Sequence, residues 1–289
     1  MTDATPLLET PDLLGEGPIW DPEEGVLWRV DIEAATVHRL DPASGASRAW
    51  RTPSNVGCLA LRASGGLVVA LVDGFHGLDP ATGAVTPIVN PEPPSDEIGF
   101  NDGAVDAAGR FYCGSLDRIT ETKPIGSLWR LDPDGSTHRL VRGCICANGI
   151  DWSLDGATLY FTDSGKGSIT AYDVDADGGI ANPREFARVD GPAVPDGLTI
   201  DAEGFLWSAE WDGSRLVRYA PDASIDRVVE LPVSRPTACA FGGPDLDVLY
   251  VTSARSGLSE AELAEQPLAG QTVAIAAGVR GRPPHRFGG

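Results

Sequence analysis

Residues 17–31, GPIWDPEEGVLWRVD, decide how the rest of the chain is read. An apolar pair is followed by a turn of Asp, Pro, Glu and Gly, then by a second run of Val, Leu and Trp. β-Branched and aromatic residues suit a pleated, half-buried surface, and the turn residues break it. The pattern is that of two short adjacent strands. It returns in GCLALRASGGLVVALVD (57–73), GAVDAAGRFYCGSLD (103–117), GIDWSLDGATLYFTDS (149–164), GLTIDAEGFLWSAEWD (197–212) and ACAFGGPDLDVLYVTS (238–253). The second strands begin near Val26, Leu67, Phe111, Leu159, Phe205 and Leu249, about 40–48 residues apart. Several repeats run on into a third strand and turn, as in TVHRLDPASG (36–45) and SLWRLDPDG (127–135).

Four strands in about 40–50 residues make a propeller blade, and six repeats predict an all-β, six-bladed β-propeller. No 3.6-residue apolar period is sustained; SEAELAEQ (259–266) alone reads as helix. No linker interrupts the repeats, so residues 1–289 are expected to form one domain. PLLET (6–10) is expected to be the outer strand of the last blade, beside TVAIAAG (272–278), closing the ring. The tail, RGRPPHRFGG (280–289), reads as flexible.

With 42% apolar residues the chain can build a real core. It carries 22 basic against 42 acidic residues, a net charge of −20. That balance argues against nucleic acid and anionic membranes as partners, and suits cations or small molecules. The N-terminus lacks the basic and apolar regions of a signal peptide, and no run of about 18 apolar residues could span a membrane. Five scattered cysteines read as reduced thiols of a cytoplasmic protein. Cys144 and Cys146, in C-x-C spacing, are expected on one face of a strand, in the core rather than on zinc. His38, His76, His138 and His285 are scattered, and His76 reads as structural. The sequence does not set the oligomeric state and is compatible with a monomer.

The residues just before the six expected inner strands are Glu16, Val56, Asp102, Asn148, Asp196 and Thr237. Inner strands of a propeller run side by side around its axis, so these positions meet at one mouth of the channel. An Asp-Gly pair alone is a turn, as expected at Asp134-Gly135 and Asp155-Gly156. Glu16, Asp102, Asn148 and Asp196 together are different, because converging carboxylates repel unless protons or a cation intervene. One hard divalent ion bound by carboxylate and amide oxygens resolves the repulsion: calcium, zinc, manganese, magnesium or ferrous iron. Such an ion can polarise a carbonyl, and an Asp beside it can accept a proton from water.

GEGPIWD, FNDGAVDAAGRFYCGS, ANGIDWSLDGATLYFTDS, PDGLTIDAEGFLWSAEWDG and PTACAFGGPDLDVLYVTSAR together carry a resemblance over nearly the whole chain. The sequence resembles the senescence-marker-protein/gluconolactonase/regucalcin-like family of six-bladed propeller lactonases. The resemblance implies one divalent ion held by Glu16, Asn148 and Asp196, with Asp196 also the general base. It implies that Asn101, beside Asp102, contacts substrate or the metal's water, and that the substrate is a small-molecule sugar lactone, opened to the aldonic acid. Many members have Arg two residues before that Asn; here the position is Gly99. The polar insertion LDRITETKPIG (116–126), with Arg118, Glu121 and Lys123, is the nearest replacement for substrate recognition. Two competing readings use the same features: a phosphotriester hydrolase on a related propeller, and a non-catalytic metal-binding or interaction propeller.

Overall fold

The computed structural model describes residues 4–8, 10–93 and 95–289. It contains six four-stranded antiparallel sheets, arranged as the blades of a β-propeller. The first blade runs outward through Gly15–Asp21, Val26–Asp31, Thr36–Leu40 and Ser47–Arg51. The other innermost strands are Val56–Leu61, Ile98–Val105, Ala147–Trp152, Val194–Ile200 and Pro236–Gly242. The sixth blade takes its outermost strand from the other end of the sequence, where Thr5–Pro6 pairs with Val273–Ala274. That strand overlaps PLLET only at Pro6, and Glu9 lies outside the described residues. Residues 260–265 form the single short α-helix among the described residues, opened by a capping box between Ser259 and Glu262.

Blades are held by the faces they turn to one another. Val26, Trp28 and Val30 of the first blade pack with Val56, Leu59 and Leu67 of the second. Apolar area removed from water is the main stabilising term here, at roughly 25 cal/mol per Å². Burial falls from axis to rim: Val56–Leu61 is buried throughout, whereas the outermost Ile225–Glu230 is almost wholly exposed. The ring closes at the axis as well as at the rim, because the buried Thr237 hydroxyl donates to the Gly15 carbonyl at 2.6 Å.

Each innermost strand breaks register with its neighbour close to its start. The shifts fall between Glu16 and Ile19, Val56 and Cys58, Phe100 and Gly103, Ala147 and Ile150, Pro195 and Leu198, and Pro236 and Cys239. These are β-bulges, which re-aim side chains and tighten local twist. The sequence reading placed Glu16, Asp102, Asn148, Asp196 and Thr237 just before the inner strands; the structure puts them inside the strands, at the bulges. The glycine after the bulged residue is a packing requirement. A Cβ on Gly149 would lie 2.6 Å from the Asp196 carbonyl, and one on Gly57 would run into the backbone of Phe100 and Asn101.

The tail corrects the sequence reading, because it is docked rather than flexible. It crosses the far end of the channel and touches every blade. Ala202 donates to the Arg280 carbonyl at 2.8 Å and Gly281 to Leu246 at 2.7 Å. Arg282 pairs with Asp151 and donates to the Trp152 carbonyl at 2.8 Å, while Arg286 pairs with Asp21 at 2.7 Å. Phe287, only 2% exposed, joins the cluster of Phe75, Phe100 and Phe111, and Gly288 donates to the Gly109 carbonyl at 3.0 Å. Prolines and arginines made the segment look like a solvated end; the aspartates and aromatic pocket that receive it are far away in sequence.

Candidate active site

The bulges of the first, third, fourth and fifth blades bring Glu16, Asp102, Asn148 and Asp196 to one end of the channel. Glu16, Asn148 and Asp196 are 6%, 5% and 4% exposed, so three polar groups share a nearly dry site. The bulge satisfies part of each carboxylate locally. The Gly17 amide donates to Glu16 Oε2 at 2.9 Å, and the Gly103 amide to Asp102 Oδ1 at 2.7 Å. Asp196 Oδ1 is buried with no hydrogen-bond partner.

Burial pushes the carboxyls of Glu16 and Asp196 well above the ordinary carboxylate range, and each is raised further by the other acids. Asp102 acts on Glu16; Glu16, Asp102 and Glu121 act on Asp196. Asp102 itself is pushed up to about 6 by burial, with the Gly103 amide pulling the other way. Acids held this close in a buried mouth compete for protons.

Asn101 and Asn148 form a second layer between the third and fourth blades. Asn101 Nδ2 donates to the Ala147 carbonyl at 3.0 Å and to Asn148 Oδ1 at 3.1 Å. Asn148 Nδ2 donates to Ser164 Oγ at 3.0 Å, and Ser164 Oγ donates to the Pro195 carbonyl at 2.6 Å. Neither Ser164 nor Cys146 was singled out from sequence as a site residue. Cys144 ends the strand Thr137–Cys144 in the core, but Cys146 lies beyond it, past a bend at Ile145, in an isolated β-bridge to Leu116, close enough to Asn148 for a 3.8 Å contact from Nδ2 to Sγ. The two cysteines therefore do not share a strand face. All five cysteines are free thiols.

The insertion between Phe111–Asp117 and Gly126–Leu131 treats its three candidates differently. Asp117 holds the loop by accepting from the amides of Ile119, Thr120 and Lys123. Lys123 Nζ pairs with Glu97 at 2.9 Å. Arg118 donates to the Asp96 carbonyl at 3.2 Å, and its stem lies against Gly99, where a Cβ would come within 3.2 Å of Arg118 Cδ. Glu121, in left-handed backbone at φ 53°, is the one whose charge reaches Asp196. His76 is buried, with Nδ1 3.1 Å from the Gly74 carbonyl, as expected of a structural histidine.

The donor set has the chemistry of a hard-cation site. Glu16 and Asp196 offer carboxylate oxygens, Asn148 an amide oxygen, and Asp196 Oδ1 is an orphaned acceptor in a buried position. Among the described residues no group of three or more His, Cys, Asp or Glu side chains is placed to hold a metal ion. The cavity along the axis lies below, lined by Asp102, Ile150, Leu198 and Phe241 and bounded by Arg282–His285 of the tail.

A sequence profile of the SMP-30/gluconolactonase/LRE-like region matches residues 14–255, which takes in all of these site residues. The chain belongs to that family. Among its relatives, regucalcin of Gallus gallus is 39% identical, covering 96% of this chain and 95% of the relative. The 6-deoxy-6-sulfogluconolactonase of Pseudomonas putida is 38% identical, covering 98% of each chain. A crystal structure of regucalcin from Agrobacterium tumefaciens, described as a calcium-binding protein, superposes with a TM-score of 0.94 at 31% identity, covering 99% of this chain and 97% of that one. Among the described residues of this chain, no helix is long and apolar enough to cross a membrane.

Proposed function

We propose that this chain is a divalent-metal-dependent lactonase that opens a sugar lactone to its aldonic acid. The observation that carries the reading is the buried, mutually repelling set of Glu16, Asp102 and Asp196 with its orphaned Asp196 oxygen, in a family that includes gluconolactonases. Glu16, Asn148 and Asp196 would hold the ion. When bound, it supplies positive charge that keeps these acids ionised and polarises the lactone carbonyl.

The protein's own groups do the rest. Asp196 accepts the proton of a water molecule, on the carboxylate oxygen not given to the ion, as that water attacks the lactone carbonyl. The same proton goes to the ring oxygen as the acyl C–O bond breaks, so one water is consumed and one hydroxy acid leaves. Asn101 has both Nδ2 donor bonds committed, so it meets the sugar through Oδ1, as an acceptor for a hydroxyl. Asp102 accepts a second hydroxyl and Glu121 closes the mouth from the loop. Arg118, with its stem over Gly99, and Lys123, paired with Glu97, turn toward substrate only by leaving those partners. The sulfonated substrate named for the Pseudomonas relative makes anionic lactones worth including in any panel.

The test is one plate: metal-stripped protein, calcium, zinc, manganese, magnesium and ferrous ions, and neutral and anionic pentono- and hexonolactones, with acid release followed by a pH indicator. Turnover that depends on one or more ions supports the reading. No turnover of any lactone with any ion, alongside measurable ion binding, would favour a non-catalytic metal-binding propeller.

A further inference from the structure

We propose that Ser164 is a positioning residue that decides which atom of Asn148 faces the carboxylates. The inference rests on the metal reading above, and it concerns a residue outside the proposed ligand set. Ser164 opens the short turn Ser164–Lys166 that follows the strand Thr158–Asp163, and it is buried. A serine hydroxyl has one proton and two lone pairs. That proton goes to the Pro195 carbonyl at 2.6 Å, on the residue before Asp196. With it committed, Ser164 Oγ can only accept, and it accepts from Asn148 Nδ2 at 3.0 Å.

The amide is therefore turned one way. Its nitrogen points to Ser164, with Cys146 Sγ as a weak second acceptor at 3.8 Å, and its oxygen points away. Asn101 agrees, because its Nδ2 donates to Asn148 Oδ1 at 3.1 Å. One lone pair of Oδ1 is used there and the other is left for a cation. Turned the opposite way, Asn148 would present N–H groups, which repel a cation. The same hydroxyl bridges the fourth blade to the fifth, so it also sets the spacing between the strands that carry Asn148 and Asp196. Groups that orient a metal ligand in this way typically contribute about 10–100-fold to metal affinity.

The experiment uses the full chain with Ser164→Ala and Ser164→Thr. Affinity for manganese, calcium, magnesium and zinc ions is measured by calorimetry, together with the thermal midpoint of the metal-free protein and the lactone KM at saturating ion. Ser164→Ala is expected to bind the preferred ion about 10–100-fold more weakly. Ser164→Thr, which keeps the hydroxyl, should regain most of that affinity. KM at saturating ion should be unchanged, since Ser164 does not touch substrate. A parent-like affinity in Ser164→Ala, or equal losses in the Ala and Thr variants, would overturn the role of Ser164 and leave the metal reading standing. A parent chain that binds none of the four ions, and no ferrous iron either, would overturn both. If Ser164→Ala does not fold, Asn148→Asp decides. It sets a carboxylate oxygen against a Ser164 oxygen that has no proton to give, so affinity should fall despite the added charge; a gain would overturn the proposal.

Discussion

At one end of the channel Glu16, Asp102 and Asp196 face one another from three blades; Asp102 raises the proton affinity of Glu16, and both raise that of Asp196. At the opposite end, Asp21 and Asp151 sit near the far ends of the inner strands that carry Glu16 and Asn148, and each meets an arginine of the tail. Both mouths draw on the same acidic composition. The tail end spends its carboxylates on internal ion pairs and becomes structural. The other end leaves them facing each other, and uncompensated buried charge of one sign is a standing demand for a ligand. The family profile covers residues 14–255 and so the whole carboxylate mouth, while the tail that seals the other lies beyond it.

The contrast can be broken by changing one mouth at a time. The largest effect is expected at the carboxylate end. Asp196→Asn at saturating ion should lose about 10²–10⁴ in kcat, the usual worth of a general base, whereas excess ion should at least partly rescue Glu16→Gln. Full activity of ion-loaded Asp196→Asn would remove the base role. At the tail end, Phe287→Ala should cost about 3–5 kcal/mol of stability, as buried Phe→Ala changes do, with near-normal activity per folded molecule below the melting transition. A denaturant titration reads the first and an assay at low temperature the second. Loss of turnover without loss of stability would mean that the two mouths are not separate in function.

The pH dependence of the metal-free protein sharpens the same comparison. Asp102 moves from an ordinary 3.8 to about 6 on folding, and Glu16 and Asp196 move in the same direction. Between about pH 4 and 6 the folded state holds protons that the unfolded chain has released. Stability should therefore be greatest below about pH 4 for these groups and fall as pH rises through 6. Saturating divalent ion at pH 7 should restore what the rise in pH removed. Flat stability across this window, with no effect of ion, would show that the acids are not buried together.

The smallest effect on the metal is expected in the loop. Arg118→Ala and Lys123→Ala should leave ion affinity unchanged. If either side chain swings from its Asp96 or Glu97 partner to the substrate, its variant will reorder kcat/KM among neutral and anionic lactones. Unchanged rankings in both variants would leave the polar wall to Asn101, Asp102 and Glu121.

The blades were legible because each repeat writes its own two-residue period and its own turn. The start of every second strand falls within one residue of the position read from sequence. The convergence of Glu16, Asp102, Asn148 and Asp196 was legible for a related reason: fold periodicity turns a sequence offset of about 46 residues into a neighbour relation. Their placement at bulges was not, because a bulge is one extra residue opposite a partner strand and the strand itself does not mark it. Ser164 was hidden inside YFTDS, where a serine after a strand is ordinary; its role depends on Pro195 and Asn148, contributed by other strands. The docked tail failed to announce itself for the same reason. Its partners Asp21, Leu61, Gly109, Asp151 and Leu246 come from five blades, and no local pattern in residues 280–289 predicts them.

Calorimetric titration of the metal-stripped parent, Glu16→Gln, Asn148→Ala, Asp196→Asn and the turn control Asp134→Asn with the divalent ion that best supports turnover tests the central claim most directly. Asp134 only accepts from the amide and hydroxyl of Ser136 in an exposed turn, so its variant should bind as the parent does. One ion per chain is expected in the parent, with weaker binding in each of the three site variants. Equal affinity in all five proteins, or no binding in the parent, would contradict the account.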